Sequence, residues 1–206
     1  GTPVAFRDSA YPTAYPSPHE GELFYNSSSG AFQFLGVGVG AWSSGGNLNT
    51  AKRQGAGFGS ATAGVYAGGT VPSPTTANVE EYNGTSWSEV NDLNLARSDL
   101  AGTGTQTSSL FFGGYTGPPG TTNRTETESW NGYVWTEVNE MNQGRYASGS
   151  FGTTTAALVT GGDKGPPSPP ITGNTEIWNG NAWTEVNNMN TQKQYLGGAG
   201  TTTDGI

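Results

Sequence analysis

The chain has 206 residues, 34 of them Gly and 12 Pro, with 8 basic and 16 acidic side chains and a net charge of −8. Glycine at about twice its usual share argues against a helical bundle, because each one weakens a helix by about 1 kcal/mol; the negative balance disfavours nucleic acid and anionic membrane surfaces as partners. Cysteine is absent and histidine occurs once, at His19, which removes disulfide frameworks, thiolate zinc sites and cysteine nucleophiles from consideration, and no apolar run reaches the roughly 20 residues that span a bilayer.

Residues 1–46 open with Pro3, Pro12, Pro16 and Pro18, which predict an irregular lead with His19 in an exposed turn. Gly21 to Asn26, a Ser/Gly turn and Ala31 to Leu35 then read as a β-hairpin. Trp42 stands 45 residues before Trp87 and reads as the last strand of a degenerate unit.

From residue 47 the chain repeats, with units at about 47–93, 94–141 and 142–189 and a partial unit at 190–206. Trp87, Trp135 and Trp183 recur at spacings of 48, each opening Trp-[Ser/Thr]-Glu-Val-Asn. Upstream lie Asn83-Gly84, Asn131-Gly132 and Asn179-Gly180, each after an aromatic residue, which suit tight hairpin turns. Asn49, Asn94, Asn142 and Asn190 are followed three residues later by Lys52, Arg97, Arg145 and Lys193, and nineteen residues later Gly68-Gly69, Gly113-Gly114 and Gly161-Gly162 begin. Four strands are predicted per unit, at Leu100 to Gly104, Ser109 to Phe112, Thr125 to Trp130 and Val134 to Val138 in the second. Alternation puts Trp135 and Glu137 on one face and Thr136 and Val138 on the other. Such a meander cannot hide both faces alone, so successive sheets must pack face to face, and radial packing is the solution a propeller adopts. Trp87, Trp135 and Trp183 then read as structural anchors between sheets rather than ligand platforms.

A Gly-Gly pair closing strand 2, a glutamate and an aromatic in strand 3, a Trp a few residues on, then Met-Asn or Leu-Asn and a basic residue resemble the Kelch repeat over residues 47–206. The resemblance implies an all-β propeller with four-stranded antiparallel blades. A Thr- and Gly-rich first strand stands where Kelch proteins commonly carry His-Ser. The Gly-Glu-Leu-Phe-Tyr-Asn hairpin start, Gly40-Ala41-Trp42 and the Trp-Asn-Gly…Trp-Thr-Glu-Val-Asn repeats resemble modules of tailed-bacteriophage virion and fibre proteins of marine type. Because Gly200 to Ile206 aligns with Gly152 to Leu158, the chain is expected to be a segment of a longer polypeptide, the alternative being that its last strands complete a mixed blade with the first.

No residue is singled out as catalytic, and no metal or cofactor is expected. A copper oxidase of the galactose oxidase type, which the Kelch likeness brings to mind, would need paired histidines and a Cys-Tyr link. Glu80, Glu128 and Glu176, and Glu89, Glu137 and Glu185, recur with the repeat, and recurring acids read as architectural. Lys52, Arg97, Arg145 and Lys193 admit two accounts, a ring of charge around one mouth that attracts an anionic ligand, or pairing with the glutamates; the shared periodicity favours pairing. Non-repeating character falls in the connections between strands 2 and 3, where Tyr115, Arg124, Asp163 and Lys164 are the candidates for binding sugar hydroxyls or protein. The expected function is that of a non-enzymatic virion structural or fibre protein adhering to a host surface glycan or to another virion protein, with self-association compatible; the alternative is a secreted carbohydrate-active propeller enzyme.

Overall fold

The computed structural model describes residues 23–26, 31–34, 44–117, 122–166 and 170–205. The chain divides into two compact units, Gly1–Ser44 and Gly45–Ile206. In the first, β1 (Leu23–Asn26) and β2 (Ala31–Phe34) form the expected antiparallel hairpin, with Leu23 opposite Phe34 and Asn26 opposite Ala31. His19, the proline-rich lead and Trp42 lie outside the described residues.

The second unit contains three four-stranded antiparallel meanders: β3 (Ala56–Ser60), β4 (Ala63–Ala67), β5 (Val79–Tyr82) and β6 (Trp87–Val90); β7 (Ala101–Thr105), β8 (Ser108–Phe112), β9 (Thr127–Trp130) and β10 (Trp135–Val138); and β11 (Gly149–Thr153), β12 (Ala156–Thr160), β13 (Thr175–Trp178) and β14 (Trp183–Val186). A fourth begins as β15 (Gly200–Thr201) and β16 (Asp204–Gly205). The described residues are thus all-β and built of blade-like repeats, and they do not close a ring. Strand 3 starts later than the sequence suggests. Thr125 and Glu126 are drawn out of the ladder because their carbonyls accept from Met141 N, and from Gly113 N and Arg97 Nη1.

Each Asn-Gly turn is held by its own asparagine. Asn131 Oδ1 accepts from the N–H groups of Tyr133 and Val134 at 3.0 and 2.9 Å, and Asn83 and Asn179 repeat the arrangement; Gly132 follows at φ +92°, a conformation that costs a side-chain-bearing residue. The asparagine closing Trp-x-Glu-Val-Asn works between units. Asn91 Nδ2 donates to Tyr133 O, and Asn139 Nδ2 to Asn181 O, both at 2.7 Å, so the end of one sheet is tied to the hairpin tip of the next.

Register places Phe111, Glu128, Trp130, Trp135 and Glu137 on one face of the second sheet and Leu110, Phe112, Thr127 and Val138 on the other. The tryptophan face packs on the apolar face of the preceding sheet. Phe111, Trp130 and Trp135 join Val65, Ala67 and Val79 in one core; Trp178 and Trp183 join Leu110, Phe112 and Met141 in the next. Trp183 sits edge-on to Phe112 of the preceding sheet at 4.8 Å and donates from Nε1 to Thr127 Oγ1 at 3.0 Å, while Trp135 donates to Asn91 O at 2.7 Å. Trp135 and Trp183 are 8% and 5% exposed, whereas Trp87 is only half-buried. Trp135 and Trp183 therefore lie between sheets, whereas Trp87 of the first sheet packs on Tyr82 of its own hairpin at 5.1 Å. Trp135→Ala and Trp183→Ala are each expected to lower unfolding free energy by about 3–5 kcal/mol, and Trp87→Ala by clearly less; urea denaturation that found the three equal would contradict this packing.

Candidate functional site

The recurring polar residues form one latch, built three times. The segment entering each sheet carries an asparagine and, three residues on, a cation, and both close on the glutamate of the third strand. Asn94 donates from N and Nδ2 to Glu128 Oε2 at 2.7 and 2.9 Å, while Arg97 Nη2 meets Glu128 Oε1 at 2.9 Å. Arg97 also donates to the carbonyls of Glu126, Gly113 and Phe111. Asn142, Arg145 and Glu176 repeat this geometry, with Arg145 Nη2 donating to Glu176 Oε1. In the first sheet Asn49 N and Thr50 N donate to the two Glu80 oxygens at 2.6 and 3.2 Å, and Lys52 Nζ lies 3.5 Å from Glu80 Oε1 and donates to Asn78.

Arg97 and Arg145 are 0% exposed. Burial pushes the pKa of Lys52, Arg97 and Arg145 below its ordinary value, and the paired glutamates push back. A cation so placed is unavailable to an external anion; of the four recurring basic residues only Lys193 is exposed. Glu89, Glu137 and Glu185, the second recurring set, are likewise exposed, opposite Glu80, Glu128 and Glu176 in register. The second set of glutamates thus takes no part in the latch.

The latch also joins sheets. The N–H of the second glycine in each Gly-Gly pair donates to the carbonyl of the next unit's basic residue: Gly69 to Arg97, Gly114 to Arg145 and Gly162 to Lys193, at 2.9, 2.8 and 2.8 Å. Gly113 has φ +65°, and a Cβ there would lie 2.7 Å from Arg145 O, so no other residue permits this approach. Two residues beyond each cation the backbone turns left-handed at Gln54, Asp99, Ala147 and Tyr195, with φ of 60, 48, 53 and 55°. Their amides form a relay from unit to unit, Asp99 N to Gln54 O, Ala147 N to Asp99 O and Tyr195 N to Ala147 O, at 2.7, 2.9 and 2.7 Å. The periodic signal misses these positions because four different side chains occupy them.

The strand 2–3 connections begin with short ladders, Arg53–Thr70–Thr75, Ser98–Tyr115–Asn123 and Tyr146–Asp163–Ile171. Tyr115 and Asp163 are therefore buried at the base of their loops rather than displayed at the tips. Tyr115 packs edge-on to Tyr146 at 5.2 Å, and Asp163 Oδ1 accepts from Gly165 N at 2.7 Å. The Tyr146 hydroxyl is pushed up to about 12 by burial and by the neighbouring Asp163 carboxylate. Arg124 is half-buried and pairs with Glu126 at 2.6 Å; Lys164 is half-buried. The structure thus brings Tyr115, Tyr146 and Asp163 into one row of adjoining loop bases, and commits Lys52, Arg97 and Arg145 elsewhere.

Among the described residues no three His, Cys, Asp or Glu side chains converge as for a metal, and no helix is long and apolar enough to cross a membrane. No protein-family model and no curated protein matches the sequence.

Arg97→Ala leaves Glu128 buried without its cation and is expected to cost about 3–5 kcal/mol in urea unfolding, much of it recovered in Arg97→Met with Glu128→Leu; a double variant no more stable than the single one would contradict the latch. Asp99 is a second handle. Burial raises its carboxyl pKa, against the hydrogen bond from Gln54 Nε2 at 3.0 Å. The folded state therefore holds this proton more tightly than the unfolded one, and its contribution to stability falls as pH rises through the raised pKa. Asp99→Asn keeps the acceptor and tolerates the left-handed backbone, so the stability of the variant relative to the native chain should increase as pH rises from about 4; a pH-independent difference would contradict the assignment.

Proposed function

We propose that this chain is a non-catalytic structural or fibre component of a tailed-bacteriophage virion, whose sheets are blades of a Kelch-like propeller and whose strand 2–3 loops meet a host surface glycan or another virion protein. The resemblance of the hairpin start and of the Trp-Thr-Glu-Val-Asn units to such proteins supports the virion assignment. The observation that carries the mode of action is the division of labour along the repeat. Lys52, Arg97 and Arg145 and one set of recurring glutamates are buried in holding the sheets, while the loops from residues 71–74, 116–122 and 164–170 differ in sequence, the first being also shorter than the other two. Variable loops on a rigid framework are where recognition concentrates.

The loop bases must stay intact in any test, since Thr70, Tyr115 and Asp163 belong to the ladders. Exchanging only the three tips for Gly/Ser turns should leave the urea midpoint unchanged and lower retention of the labelled chain on marine bacterial cells or tailed-phage particles by about tenfold or more. Retention unaffected by the exchange would contradict the loop-face assignment, and no retention of the native chain on either would contradict the function.

A further inference from the structure

Lys52, Arg97 and Arg145 are taken up by the latch, whereas Arg53 lies outside the repeat. Arg53 stands where the other units have Ser98, Tyr146 and Gln194. Its backbone pairs with Thr70 in both directions, at 3.1 and 2.8 Å, so the residue is fixed in place. The side chain is exposed and makes no hydrogen bond or ion pair among the described residues. Arg53 lines a hollow of about 520 Å³ with Gln54, Thr70, Thr75 and Tyr115, and a second of about 280 Å³ with Thr70 and Pro72. The larger is within the range of small-molecule sites. No acidic side chain lines either hollow among the described residues, in a chain of net charge −8.

The floor of the larger hollow has a defined hydrogen-bond polarity. Gln54 is the left-handed residue of the first unit, and its amide is held at both ends. Gln54 Oε1 accepts from Thr70 Oγ1 at 2.9 Å, while Nε2 donates to Asp99 Oδ2 at 3.0 Å and to the Tyr115 hydroxyl oxygen at 3.4 Å. Tyr115 consequently keeps its own proton to donate outward, and Thr70, having spent its proton, keeps lone pairs to accept. Arg53 adds a fork of donors suited to a planar anion. A matching ligand needs a carboxylate for the fork, a further acceptor for Tyr115 and a hydroxyl donor for Thr70, in a rigid polar frame.

We propose that this hollow is a binding subsite for an acidic saccharide, with the sugar carboxylate on Arg53 and ring oxygens or hydroxyls on Tyr115 and Thr70. The assignment deepens the adhesion reading and rests on it. It moves the anion contact from the recurring Lys52, Arg97 and Arg145 to an arginine that the repeat does not require and that, unlike Arg124, has no carboxylate partner among the described residues.

Titration of the native chain with a galacturonate trimer and with sialyllactose, against maltotriose as the neutral probe, tests it, using Arg53→Ala, Arg53→Lys and Tyr115→Phe. At least one acidic probe should bind and maltotriose should not. Arg53→Ala should weaken binding about tenfold or more, Arg53→Lys less, and Tyr115→Phe by a few-fold, with unchanged urea midpoints for the Arg53 variants, whose side chain makes no hydrogen bond or ion pair among the described residues. Equal binding of neutral and acidic probes, or acidic binding indifferent to Arg53→Ala, overturns the subsite. Failure of every saccharide to bind, together with loop-tip-dependent retention on cells or particles, also overturns it while sparing the adhesion reading in favour of a protein partner. Absence of both removes the adhesion reading as well.

Discussion

A cation buried on a glutamate, with its own carbonyl taken by the sheet before it, is the interaction that organises this protein. Arg97 illustrates the two roles at once. Its guanidinium satisfies Glu128 and three backbone carbonyls of the second sheet, and its carbonyl oxygen receives the Gly69 N–H of the first. A buried ion pair is a weak source of net stability, because desolvation offsets much of the attraction. What it enforces is geometry. The carboxylate can be satisfied only when the incoming segment lies across the sheet, and that placement presents the backbone to the preceding glycine pair. Indole packing then supplies apolar burial between faces already in register, and the left-handed relay at Gln54, Asp99, Ala147 and Tyr195 stitches the same junction a second time.

This arrangement separates the residues that hold the sheets together from those that vary along the chain. Charges that recur are withdrawn from the surface where they support the junctions. Glu89, Glu137 and Glu185 remain outside and contribute to the acidic exterior. Departures from the repeat collect around the strand 2–3 loops and the segments leading into strand 1, where Arg53 interrupts a series of uncharged residues. Such a framework can change its loops without disturbing its latches.

Much of the fold was legible because its determinants recur in identity as well as position. Trp87, Trp135 and Trp183, the Asn-Gly turns and the Gly-Gly pairs each require one residue type, so their spacing revealed four strands per unit and the face on which the sheets meet. Pairing between the recurring cations and glutamates was legible for the same reason. Which glutamates take part was not, since Glu128 and Glu137 lie opposite each other on one face and only the path of the Asn94–Arg97 segment selects between them. The left-handed positions escaped notice because backbone hydrogen bonding, indifferent to side-chain type, imposes them. Tyr115 and Asp163 read as displayed loop residues, yet backbone bridges bury them at the loop bases; such bridges leave no pattern in a single ladder residue. Arg53 leaves no periodic signal for the opposite reason, since no other unit carries a charge at its position.

Native-state hydrogen exchange at Gly69 and Gly114 tests the central claim most directly. These amides bond to carbonyls of the following unit rather than within their own sheets. If the latch couples neighbouring sheets, both should exchange with the same opening free energy as core amides of β4 and β8, and Arg97→Ala should selectively lower protection at Gly69. Rapid exchange at Gly69 and Gly114 by local opening, with β4 and β8 still fully protected and no response to Arg97→Ala, would show that the sheets cohere without it.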